Sequence, residues 1–254
     1  MNQIPEPKIR RKAIIIKGYS KDKQELSATM AYVDNYKEWF KSNAGGAYSE
    51  NEIKILTDIT FAELKLNLES DILDFVVVVA IGHGANQDDF QLFRLNQDEI
   101  IKLGQVVEFI KSDKQLWLVE SCRGLLSSVI KTIDLGHKIP SFKKGGKIPP
   151  TPISKEKTRA LYDKQIKKCD NGKVICFACS RNEIAMNAIF TRHILNCAHQ
   201  WHLSYRFSRA TLNITELMNC IIPIVNSTAL KERGKEQHPE ILENIEFPFA
   251  ISKY

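Results

Sequence analysis

Along the first half of the chain, short apolar runs alternate with stretches whose apolar residues recur at helical spacing. KAIIIKGY (12–19) is β-branched and closes on a glycine, which predicts a buried strand. ELSATMAYVDNYKEWF (25–40) carries Leu26, Met30, Val33, Tyr36 and Phe40 at the spacing of an amphipathic helix. EIKILT (52–57) predicts the next strand, and residues 60–68, with Phe61, Leu64 and Leu68 on one face, the next helix. DFVVVVAI (74–81) is apolar on both faces, as a central parallel strand must be. QDEIIKLGQVVEFIK (97–111) predicts an amphipathic helix, LWLVE (116–120) a strand and GLLSSVIKT (124–132) a further helix. Strands and helices alternating at this rhythm predict an α/β fold, with a mainly parallel central sheet between two helical layers.

The rhythm breaks over residues 134–171, which are rich in proline and contain a Gly-Gly pair. Basic residues crowd from Lys143 to Lys168, where eight lysines and Arg159 face only Glu156 and Asp163. That composition predicts a solvated loop, with a helical piece near 155–168. Regular structure resumes with a strand at KVICFACS (173–180), helices near 186–200 and 215–225, and a last short strand in the tail EFPFAISKY. The expected organisation is one domain over 1–254: a first part (11–134), the basic linker (135–171) and a second part (172–254).

Composition narrows the classes. Hydrophobic residues make up 43% of the 254 residues and charged ones 26%, the balance of a globular domain with a real core. The net charge of +6 comes without a basic-aromatic array, so no nucleic-acid partner is expected. MNQIPEPKIRRK has no apolar core of a secretory signal, and FVVVVAIG (75–82) is far short of the ~20 residues of a membrane span. A cytoplasmic protein that makes no membrane contact is expected, with its six cysteines as free thiols.

Two reactive side chains follow two successive strands. His83 comes directly after FVVVVAIG, and Cys122 directly after LWLVES. Ligands of parallel sheets bind beyond the carboxyl ends of the strands, and consecutive strands are usually neighbours. The residues leave two readings open: a small buried cysteine beside an incidental histidine, or a Cys–His nucleophilic pair. The second gains from a helix start at Cys122 and the charge of Arg123, both of which favour a thiolate. Gly82, Gly84 and Gly124 allow close backbone approach, and the N–H groups of Gly84 and Cys122 are natural oxyanion-hole donors.

These residues resemble the caspase-like cysteine peptidases, the superfamily of caspases, metacaspases and paracaspases. VVVVAIGHG and ESCRG match the two catalytic segments, 39 residues apart against roughly 50 in caspases, as suits a bacterial-type member. KAIIIKGYS resembles the first strand, VICFACSRNEIAMNAIFTRHIL the strand and helix opening the small-subunit part, and QHPEILENIEFPFAI the ending of bacterial members. Met186 and Asn187 depart from the acidic residue that metacaspase relatives carry there.

The resemblance implies a caspase-like α/β/α sandwich and a cysteine endopeptidase with His83 and Cys122 as its dyad. It implies no cofactor or metal, a protein substrate and control by a regulatory or sensor partner in a bacterial stress, cell-death or anti-phage system. It leaves calcium dependence and the choice of monomer or dimer open. The position two before the nucleophile is glutamine in caspases and aspartate in metacaspases; here it is Glu120, which predicts a pocket for Arg or Lys. Asp34 falls where metacaspases place a second pocket acid, or else faces solvent on its helix. The basic stretch 143–168 is either a solvated loop or a site of self-cleavage. The class alternative is a catalytically silent scaffold that binds a partner.

Cys176, Cys179, His193 and Cys197 superficially spell a zinc site. Cys176 and Cys179 are three apart in a predicted strand, so their side chains are expected on opposite faces.

Overall fold

The computed structural model describes residues 8–88, 90–124, 153–185, 188–204 and 209–253. In chain order it contains β1 (Arg11–Lys17), α1 (Lys23–Lys41), β2 (Ile53–Thr57), α2 (Phe61–Glu69), β3 (Phe75–Ile81), β4 (Gly84–Gln87), β5 (Phe90–Arg94) and β6 (Ile100–Lys102). There follow α3 (Leu103–Phe109), β7 (Lys114–Glu120), α4 (Lys155–Lys168), β8 (Gly172–Phe177) and α5 (Ile189–Leu203). β9 (Thr211–Asn213), α6 (Ile214–Arg233), β10 (Glu240–Leu242) and β11 (Pro248–Ile251) complete the chain.

The central sheet has the order β10-β8-β7-β3-β1-β2, parallel throughout except for the edge strand β10. Alternation along each strand sends neighbouring side chains into two separate cores. Ala13, Ile15, Val77, Val79, Leu116 and Leu118 face α1, α4, α5 and α6, which contribute Tyr36, Tyr162, Ile194 and Met218. Ile14, Ile16, Val76, Val78, Trp117 and Val119 face α2 and α3, which contribute Leu64, Leu68 and Val106. β3 is buried along its whole length, which explains its unbroken apolar run. The three-layer α/β/α sandwich expected from the alternation is thus the observed architecture.

One local expectation changes. Residues 97–111 do not form one helix: Ile100–Lys102 pairs antiparallel with β5, and only Leu103–Phe109 is helical. Burial of Ile101 opposite Phe93 in the β4-β5-β6 sheet overrides the helical spacing. The tail strand β11 forms, but it pairs with β9 in its own two-stranded sheet. The predicted helix 124–132 lies outside the described residues, apart from Gly124.

The helical piece of the basic stretch is α4, which starts at an N-cap where the Ser154 side chain accepts from the Lys157 N–H. Its inner face is bound to the first half of the chain. Arg159 forks onto both carboxylate oxygens of Glu52, and Asn43 donates to the Ile153 carbonyl at 2.6 Å. Arg11 on β1, with its side chain fully buried, pairs with Asp163 at 3.0 Å and donates to the Gly46 carbonyl at 2.7 Å. Its guanidinium lies 4.2 Å from the centre of the Tyr48 ring and 5.0 Å from that of Tyr162. Removing one partner of a buried pair strands the other's charge. Arg11→Ala is therefore expected to lower the unfolding free energy by roughly 3 kcal/mol or more, read from urea denaturation; a loss no larger than that of a surface arginine would count against this role.

Candidate active site

The parallel pairing of β3 with β7 sets Ile81 opposite Glu120. The Gly82 N–H continues it by donating to the Glu120 carbonyl at 3.2 Å. His83 and Cys122 each come two residues past this matched pair, so both leave the sheet at the same edge. They line one cleft of about 570 Å³. Its other walls come from Glu25, Thr29 and Tyr32 on α1, from Asn182–Ala185 after β8, and from Arg233–Gln237 at the end of α6.

Gly84 brings the two segments into contact. A Cβ there would lie 2.6 Å from Ser121 Oγ, 2.7 Å from Ser121 Cβ and 2.9 Å from the Cys122 carbonyl oxygen. Only glycine lets the histidine segment approach the cysteine segment this closely. Gln91 on β5 fastens the other side, its amide donating to the Cys122 carbonyl at 3.0 Å and to Ser121 Oγ at 3.2 Å. The Asn86 N–H donates to the Gly124 carbonyl at 2.9 Å.

The charge state of the site is set by burial. Cys122 is 8% exposed, and burial pushes its thiol up against a weak contact to the Ala185 carbonyl at 3.8 Å. The helix whose start was expected to favour a thiolate, at 124–132, lies outside the described residues apart from Gly124. Arg123 does not supply free positive charge. Its side chain pairs with Glu240, donates to the Cys179 carbonyl at 3.3 Å and stacks 3.9 Å from the centre of the Phe177 ring. Its backbone N–H donates to the Glu183 carbonyl at 3.0 Å, so the residue clamps the cysteine segment onto the second part of the chain.

His83 Nε2 lies 2.6 Å from Glu25 Oε1. Burial lowers the imidazole pKa, Glu25 opposes that shift, and Arg94 and Lys21 add to it. At neutral pH the site therefore rests as neutral imidazole and neutral thiol. Burial likewise raises the Glu120 carboxyl to about 7, although it accepts hydrogen bonds from the hydroxyls of Thr191 and Tyr36.

Asp34 does not belong to the site: it is exposed on α1 and absent from the cleft walls. Glu25, Thr29, Tyr32 and Tyr36 recur at helical spacing on the face turned to the cleft, and Asp34 sits on the opposite side. Glu25 and Gln91 were not singled out in the sequence. Asp22-x-x-Glu25 reads there as an ordinary helix start, and nothing local to Gln91 marks it.

The zinc-like spacing disperses. Cys176 is buried in the core, Cys179 bonds the Ser121 and Glu183 carbonyls, and His193 Nε2 lies 2.9 Å from Thr228 Oγ1. Among the described residues no group of three or more His, Cys, Asp or Glu side chains is placed to hold a metal, and no helix is long and apolar enough to cross a membrane.

A parallel sheet between helical layers, with a histidine and a cysteine at the ends of adjacent central strands, is the caspase-like fold. The chain is similar to caspase-1 from Spodoptera frugiperda, with a TM-score of 0.55 and 14% identity over 93% of this chain and 87% of that one. It is also similar to the Drosophila initiator caspase Dronc, with a TM-score of 0.50 and 7% identity over 94% of this chain and 81% of that one. At such identities the likeness is one of fold. No family model matches the chain, and no curated protein matches it.

Gly84→Ala is expected to push the Ser121–Cys122 segment away and to cost about 1–3 kcal/mol of stability. Gly104→Ala in α3, where an added Cβ meets nothing within 4 Å, should be neutral or stabilising. Chemical denaturation of the two variants side by side checks the contrast.

Proposed function

We propose that the chain is a cysteine endopeptidase in which Cys122 is the nucleophile and His83 the general base and acid. The observation that carries this reading is the shared cleft: imidazole and thiol leave adjacent strands into one cavity, with Gly84 packed on the cysteine segment. With Nε2 engaged by Glu25, His83 has Nδ1 for proton exchange. Nδ1 takes the Cys122 proton as sulfur attacks the scissile carbonyl carbon. The oxyanion is received by the N–H groups of Gly84 and Cys122. His83 returns the proton to the leaving amine, the C–N bond breaks and a thioester remains. Water, deprotonated by His83, attacks the thioester, and the second tetrahedral species collapses to the carboxylic acid and free thiol.

Specificity for Arg or Lys is supported by Glu120 in the cleft wall. Its carboxyl titrates near 7, so its preference for a cation should strengthen as pH rises through that value. Fluorogenic peptides differing only in the residue before the scissile bond should be cut after Arg or Lys, more selectively at pH 8 than at pH 6, and not at all by Cys122→Ala. Glu120→Gln should abolish most of that preference. Preference for Asp would overturn the assignment and shift the pocket to Arg233 and Lys235, which also line the cleft. No turnover by any partner-free or partner-bound form would favour a silent binding scaffold.

The same specificity makes the basic stretch a substrate of its own enzyme. Self-cleavage is proposed within 143–168, at basic residues outside α4, whose own are held in a helix. Intact masses of the wild type beside Cys122→Ala report it; equal masses count against it. Such an enzyme requires restraint in the cell, and a regulatory or sensor protein in a stress, cell-death or anti-phage system is the proposed partner.

A further inference from the structure

We propose that Glu25 is a positioning residue for His83 and extends the dyad to a Cys122–His83–Glu25 triad; this rests on the peptidase reading above. Glu25 is the third residue of α1, and its side chain is 4% exposed. One carboxylate oxygen lies 2.6 Å from His83 Nε2. The other accepts the Lys21 N–H at 2.7 Å, while the Glu25 N–H donates to the Asp22 side chain at 2.9 Å. An acid at this helix position commonly turns back to satisfy the backbone before the helix, and here one oxygen does so. The remaining oxygen is fixed against the imidazole by the same geometry.

A carboxylate only accepts hydrogen bonds, so this contact assigns the neutral ring's proton to Nε2. Nδ1 is then the lone-pair nitrogen that can take the Cys122 proton. The groups around the ring come from several elements: Lys21 and the Tyr19 ring ahead of α1 and Arg94 from β5, while Cys122 and Glu120 at the end of β7 line the same cleft. Lys21 and Arg94 oppose a positive imidazole, and Glu25 is the group that favours it. The imidazolium formed during attack is thus held beside a buried carboxylate that costs no reorganisation. In this arrangement Glu25 acts on the reaction through His83.

Glu25→Gln tests the assignment. Glutamine keeps the size and can still accept the Lys21 N–H through its carbonyl, but its amide would donate to Nε2 and move the ring proton to Nδ1. Nitrogen NMR of histidine-labelled protein, with the His83 signals identified by their loss in His83→Asn, should show the Nε2–H tautomer in the wild type and the Nδ1–H tautomer in Glu25→Gln. With an Arg peptide, kcat should fall on the order of 10² to 10⁴-fold while KM changes little, as when other carboxylates that orient a catalytic histidine are lost. Glu25→Asp, still an acceptor, should keep the wild-type tautomer and recover part of kcat. A wild-type ring protonated on Nδ1, or an unchanged tautomer and kcat in Glu25→Gln, would overturn the proposal. Should Glu25→Gln fail to fold, the wild type and Glu25→Asp decide between these outcomes. Absence of cleavage by the wild type would instead overturn the peptidase reading, and the tautomer would still decide whether Glu25 sets the ring.

Discussion

The register between β3 and β7 is the constraint from which the site follows. With Ile81 opposite Glu120, two equal steps past the pair bring an imidazole and a thiol to the same cleft. A one-residue slip would exchange the faces of every side chain on β7. Both faces are apolar, so polarity alone could not forbid that slip. Shape and a polar lock do so. Trp117 fills the side shared with α3, and its indole N–H donates to Gln115 at 3.0 Å. The Gln115 amide in turn donates to the Ile110 and Ser112 carbonyls, at 3.3 and 3.1 Å, which fixes where β7 begins. Packing at one end of the strand thus aims the cysteine at the other.

Burial then sets the chemistry. The Cys122 thiol is raised, the His83 imidazole lowered and the Glu120 carboxyl raised to about 7, each chiefly by removal from water. The resting cleft therefore favours neutral forms, and charge develops when a substrate supplies a reason for it. Under the proposed mechanism, a guanidinium near Glu120 would stabilise its carboxylate, and proton transfer from sulfur would create the imidazolium that Glu25 faces. In that mechanism, activation of the nucleophile would follow occupancy of the cleft.

The central strands, their order of appearance and the position of His83 and Cys122 past adjacent strand ends were legible because buried parallel strands leave unbroken apolar runs. The β4-β5-β6 sheet was not, since GANQDDFQLFR mixes polar and apolar residues without a clean period, and the pairing of Ile101 with Phe93 is a tertiary fact. Asp34 is a different case. Helical phase already set it opposite the stripe of Thr29, Tyr32 and Tyr36, and the resemblance to metacaspases pointed the other way. Arg123 was visible as a residue but not as a clamp, because Glu240 is 117 positions away. Glu25 was hidden for a related reason: its local duty as a helix-start acid accounts for its presence without any reference to His83.

The clamp bears on what a cut in the basic stretch could do. β7 and β8 are adjacent parallel strands, paired from Lys114 and Gly172 to Val119 and Phe177. Arg123 binds Glu240 and the Glu183 carbonyl, and Arg159 binds Glu52, so the parts on either side of residues 125–152 are joined by sheet pairing, ion pairs and a continuous core. Cleavage between them would therefore leave the fold assembled. What it would remove is the covalent tether that follows Gly124, two residues past Cys122. The Gly124 carbonyl is itself held by Asn86, on the strand that follows His83. The other end of that tether, Ile153, is buried in the core, so a cut would free one end beside the cleft and the other against the core.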